Sequence, residues 1–153
     1  MCKAALVPGT AALYQRLVDV DGTKAATGCG IIAATIPVMA VMLIVHGRLV
    51  YPIYGMRITT PDAAALVVML FYGGLHAIYL LLAVATIVLS LAMKRGAYAK
   101  WIANFGFATA GLDIIGSYPW AIGPVLTLAC ELSFGGWFVA VGSHLFRMRG
   151  CAA

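Results

Sequence analysis

Charge is what this sequence has least of: only 10% of its 153 residues are Asp, Glu, Lys or Arg. A soluble domain carries roughly 25%. So thin a supply cannot coat a globule in water, but it suffices where lipid is the solvent. Acidic residues are scarcer still, five against ten basic, for a net charge of +5. The basic residues form no dense run and have no aromatic stacking platform beside them, which argues against a nucleic-acid partner. Paired cysteines are lacking too. Cys2, Cys29, Cys130 and Cys151 make no C-x-x-C pair and no zinc spacing. All four are therefore expected to be free, with no metal site and no thiol-oxidising chemistry. A good signal peptide is missing, because Lys3 is a thin positive region and Pro8-Gly9 interrupts the apolar run behind it. The closing Cys-Ala-Ala is one residue short of a prenylation box.

What the chain has instead is apolar length. It is 63% hydrophobic, with a mean hydropathy of +1.00. Four long apolar stretches predict an all-α, four-helix transmembrane bundle in the cell membrane. The spans are expected at about 27–46, 63–93, 101–118 and 121–146 by the ~20-residue requirement of a bilayer. Pro37 should kink the first. Thr60, Pro61 and Asp62 suit the start of the second. That span is too long for a bilayer, so it should tilt or bend, with Gly73-Gly74 the weak point. Pro119 ends the third, and Gly123-Pro124 opens the fourth. Ahead of the spans, residues 1–26 form an amphipathic segment. Thr10 is placed to cap a helix whose Leu13, Leu17 and Val20 share one face, as in a short interfacial helix on the membrane surface. Residues 147–153 form a tail.

Counting basic residues orients the bundle. Lys3, Arg16, Lys24, Lys94, Arg95, Lys100, Arg147 and Arg149 fall on one side and only Arg48 and Arg57 on the other. The positive-inside rule then puts both termini in the cytoplasm.

Three ionisable residues break the apolar pattern: His76, Asp113 and Glu131. Each is flanked at helical spacing by small or polar residues, the kind that let helices approach. Gly106, Thr109, Ala110, Gly116 and Ser117 surround Asp113. Thr127 and Gly135 flank Glu131, and Tyr72, Gly73 and Tyr79 flank His76. All three stripes should face the bundle interior. By helical rise, Asp113 lies roughly 8 Å, Glu131 roughly 15 Å and His76 at most about 20 Å below the outer boundary. They are expected to share one cavity, with Glu131 as general acid or base, His76 as its proton partner and Asp113 as an electrostatic stabiliser. Tyr72, Tyr79, Thr109 and Thr127 are the candidate ligand-binding residues. The same carboxyls also suit a plainer role as hydrogen-bonding glue between helices, and His76 suits a core histidine bonded to Tyr72 or Tyr79. His46 and His144 sit at opposite faces, so no histidine pair suits a haem. No cofactor is expected.

From about Val50 to Leu145 the chain resembles the DoxX-like group of small four-span membrane proteins. The likeness rests on Tyr54-Gly55, Gly73-Gly74, the basic turn Lys94-Arg95 and Asp113 late in the third span. It implies a four-span bundle and an accessory or quinone-linked role, and it carries no catalytic residues. Three functions follow. The first is an accessory subunit or binder of a lipophilic small molecule, quinone- or lipid-like. The second is a membrane-embedded acid–base enzyme of isomerase or cyclase type. The third is a proton-coupled transporter acting as an oligomer. The implied partners are the lipid bilayer and either a membrane protein or further copies of the chain.

Overall fold

The computed structural model describes residues 6–52, 54, 55, 57–96 and 98–150. They form four helices: α1 (Leu6–Gly47), α2 (Pro61–Arg95), α3 (Lys100–Gly116) and α4 (Pro119–Gly150). No strand occurs among the described residues. α1, α2 and α4 are long and apolar enough to cross a membrane, which marks a membrane protein. α3 has 17 residues, about 25 Å by helical rise.

α1 is two arms joined at Asp21, whose backbone is extended (φ −158°, ψ 85°). The break has a local cause. The Asp21 carboxylate accepts the backbone N–H of Lys24 at 3.2 Å, which caps the second arm at its third helical residue. The same carboxylate pairs with the Lys24 ammonium and with Arg95 of α2 at 3.1 Å. These contacts, the Lys24 ammonium foremost, hold its pKa below the ordinary Asp value. The first arm then folds back along the second. Thr10 and Tyr14 line one crevice with Cys29, Ala33 and Pro37, the pairing of an antiparallel hairpin.

This corrects the expected interfacial helix. Leu13 and Leu17 are 1% and 0% exposed and belong to the protein core with Leu89, Ile102, Trp137 and Leu145. Their apolar face meets protein rather than lipid. Thr10 does not open the helix as expected: it lies inside the arm and is buried. The arm leads away from the Asp21 turn, so Gly9 reaches the ring of Phe138 in mid-α4, where a Cβ on Gly9 would stand 3.1 Å away. The arm at Gly9 is thus not gathered with the Lys94–Lys100 end. Lys3 and the rest of residues 1–5 lie outside the described residues.

The other elements follow their local signals. Pro61 occupies the first turn of α2 behind an extended Thr60, which contributes no side-chain cap. α2 runs helical through Gly73-Gly74. The missing side chain at Gly74 admits Met42, whose Cγ would be 3.0 Å from a Cβ there. Gly123 takes φ +77°, the left-handed region that glycine alone enters freely, and sets a short first turn apart from the rest of α4. Successive helices pack side by side, but α1 and α4 barely touch. The four helices therefore form an arc with a cleft between its ends.

Candidate functional site

The cleft is where Asp113 and Glu131 lie. A cavity of about 590 Å³ opens between α1 and α4, lined by Ile32, Thr35, Ile36 and Met39 on one side. Leu128, Glu131, Leu132, Phe134, Gly135, Phe138 and Val139 face them, and Ile78, Tyr79, Leu82 and Asp113 form the back wall. The volume lies within the range of small-molecule sites.

Helical rise puts the polar groups on one level. Tyr79 stands about 24 Å from Arg95, Asp113 about 20 Å from Lys100 and Glu131 about 24 Å from Arg147. Side-chain size explains why they can meet. A Cβ on Gly116 would come 2.9 Å from the Cβ of Cys130 and 3.9 Å from the ring of Tyr79. Glycine at this position therefore draws α3 against α4 one turn from Asp113, with Tyr79 wedged beside them.

Asp113 is fully buried, and neither of its carboxyl oxygens has a hydrogen-bond partner. Glu131 is exposed on the α4 wall. One of its oxygens accepts the Tyr79 hydroxyl at 2.9 Å. The Thr35 hydroxyl is committed within α1, donating to the Ile32 carbonyl at 2.8 Å.

The expected three-residue site is thus divided. Glu131 and Asp113 line the same cavity, but His76 does not. Its Nδ1 donates to the Ser117 carbonyl at 2.8 Å. Its ring packs edge-on to Tyr118, 4.9 Å between centroids, and near Trp120 at 6.0 Å. Neither Tyr72 nor Tyr79 is its hydrogen-bond partner. Of the candidate ligand residues only Tyr79 lines the cavity. Tyr72 packs edge-on to Phe71 and Trp120. Thr109 is buried and shares a hydrogen bond with Ser133 at 3.1 Å, which ties α3 to α4. Thr127 donates to the Gly123 carbonyl within its own helix at 2.9 Å.

Sequence reasoning missed the α1 wall and the phenylalanines of α4, because an apolar side chain carries no mark of whether it faces a cleft or lipid. His46 stacks on Phe71, 4.1 Å between centroids, and His144 packs near Tyr98 at 5.5 Å, toward opposite ends of the molecule. Among the described residues no group of three His, Cys, Asp or Glu side chains is placed to hold a metal ion. Cys29 and Cys130 are free and buried, while Cys2 and Cys151 lie outside the described residues. No protein-family model, no curated protein and no solved structure matches this chain.

Proposed function

We propose that this protein holds a lipophilic small molecule, of quinone or lipid size, in the cleft between α1 and α4, and takes it up sideways from the bilayer. It acts as a binder or as the accessory subunit that carries such a molecule. The observation that supports this reading most is Asp113. A buried carboxyl with no partner is costly, and this one sits in the wall of an apolar cavity large enough for a ligand. On the same reading α3 is the fourth span, and the end bearing Arg16, Lys24, Lys94, Arg95, Lys100 and Arg147 faces the cytoplasm of a cell-membrane protein.

Gly135 supplies the test. It lines the cavity, and a Cβ built on it meets nothing within 4 Å. Gly135→Phe should therefore fill the cleft without disturbing the packing. Organic extracts of the purified protein, compared by mass spectrometry, should show a lipophilic species enriched in the wild type and lost in this variant. Identical extracts from a correctly folded variant refute the proposal.

The Tyr79–Glu131 hydrogen bond favours a second reading, a membrane-embedded acid–base enzyme in which Glu131 moves a proton and Asp113 steadies charge. His76 has no part in it. Under that reading Glu131→Gln retains the bound species but stops its conversion; an unchanged product in the extract rules it out.

A further inference from the structure

We infer that the end of the bundle bearing Arg16, Lys94, Lys100 and Arg147 binds the phosphate headgroups of anionic phospholipids. The inference is independent of the cleft and starts from which charges are already neutralised. The described cations at this end are Arg16, Lys24, Lys94, Arg95, Lys100 and Arg147, against the carboxylates of Asp19 and Asp21. Asp21 takes Lys24 and Arg95. Among the described residues no ion pair joins Arg16, Lys94, Lys100 or Arg147 to a carboxylate, and all of these side chains are exposed. Packing gathers them. Leu17, Tyr98 and Leu145 belong to one core, so the α1 arm, the α2–α3 turn and the end of α4 converge. A Cβ on Gly96 would stand 3.2 Å from Val20, which sets the turn against the arm. Each uncompensated cation thus comes from a different helix. The Lys94 ammonium lies 4.6 Å from the centre of the Phe107 ring, a cation–π contact that holds its charge beside α3.

The partner follows from where the charges stand. Residues 96–99 are all that separates α2 from α3, so no loop carries the cations away from the membrane. Trp101, beside Lys100, is 60% exposed, and an exposed indole at the end of a span belongs at headgroup level. Basic side chains at that depth meet lipid phosphates before any soluble partner. Phosphate oxygens offer the negative charge and the acceptors these side chains lack. A zwitterionic headgroup carries its own cation beside the phosphate and an anionic one does not, so the preference is for anionic lipid. The opposite end has only Arg48 and Arg57, with Asp62 nearby in sequence, and offers no comparable excess.

The test reads tryptophan fluorescence of the full-length protein in lipid nanodiscs. Trp101 is the reporter at this end, while Trp137 is fully buried. Phosphatidylglycerol brominated high on its acyl chains is compared with phosphatidylcholine brominated in the same way. The anionic lipid should quench as strongly as the zwitterionic one does at about fivefold higher mole fraction, the preference that one cation confers at an anionic surface. Trp101→Phe should abolish the difference. A variant combining Arg16→Gln, Lys94→Gln, Lys100→Gln and Arg147→Gln should bring the two lipids to parity with unchanged melting. Arg48→Gln with Arg57→Gln should keep the preference. Equal quenching of the wild type by both lipids overturns the inference, and so does a preference that survives in Trp101→Phe or in the combined variant. Sodium phosphate added at constant ionic strength should leave the preference intact; its loss would overturn the lipid assignment in favour of free phosphate.

Discussion

Gly106 should be the least replaceable small residue of α3. It is buried, and a Cβ built on it would collide with Ser90 Oγ of α2 and stand 2.8 Å from Trp137 Nε1 and 3.2 Å from Cε2. Ser90 can turn about one bond and withdraw. Trp137 cannot withdraw so easily, because it is fully buried and donates to the Ile102 carbonyl at 3.2 Å. Phe134 and Phe138 hold its ring at centroid distances of 6.2 and 6.0 Å. Adding a methyl group therefore parts α3 from α2 and α4 or breaks that hydrogen bond. Overpacking of this kind costs about 1–3 kcal/mol, against about 1 kcal/mol that alanine gains over glycine inside a helix. Gly111 is the internal control. It lies on the same helix, is exposed, and a Cβ there meets nothing within 4 Å, so alanine should be neutral or stabilising by up to about 1 kcal/mol. Unfolding by sodium dodecyl sulfate in mixed micelles, followed by tryptophan fluorescence, reads both variants. Gly106→Ala should lower the midpoint and Gly111→Ala should hold or raise it. Shifts of the same sign and size would refute the three-helix contact.

Two other perturbations test the separation of structure from site. His76→Phe keeps the ring beside Tyr118 and Trp120 but removes the donor to the Ser117 carbonyl. It should cost about 0.5–1.5 kcal/mol of stability and leave the lipophilic species in the organic extract unchanged; its loss at full stability would return His76 to the site. Asp21 ties the α1 turn to Lys24 and Arg95, and its folded pKa lies below its unfolded one. Its contribution is therefore present above the ordinary Asp pKa of about 4 and is lost as pH falls through the lowered folded value. Asp21→Asn should flatten that acid limb of a melting-temperature profile, and an unaltered limb means the ion pairs contribute nothing.

The helices were legible because an apolar run long enough for a bilayer has few alternatives. The inward face of α3 was legible too. Gly106, Thr109, Ala110, Asp113 and Gly116 recur at intervals of three and four, and all are buried. The N-terminal arm was misread for a physical reason. The Leu13, Leu17 and Val20 stripe says that one face is apolar, but lipid and protein satisfy such a face equally well. Val20 is in fact exposed, and its partners are buried in protein. The signal that distinguishes the cases was nearby: Asp21 followed three residues later by Lys24 is the start of a new helix rather than the middle of a surface one. His76 shows the complementary limit. Spacing orders side chains around one helix, but it does not set how neighbouring helices are rotated. That rotation follows from close contacts such as Gly28 against Leu89 and Gly116 against Cys130, and these leave no one-dimensional trace.

The folded-back arm also bears on what the cleft can do. α1 and α4 leave a gap, and the arm occupies its lower part, where Gly9 meets Phe138 and Leu13 and Leu17 join the core around Trp137. Phe138 itself lines the cavity. A molecule sliding in between α1 and α4 therefore reaches Glu131, with Asp113 buried behind the lining, and then meets packed protein toward the Arg95 end. Passage through would require the arm to leave, taking buried Leu13 and Leu17 with it, at about 1.5–3 kcal/mol for each fully buried leucine. Holding a ligand requires no such movement. The architecture thus favours a blind pocket over a conduit, and favours the binder over the transporter. Both readings share Asp113 and Glu131, so what separates them is the arm that closes the route beyond those carboxyls.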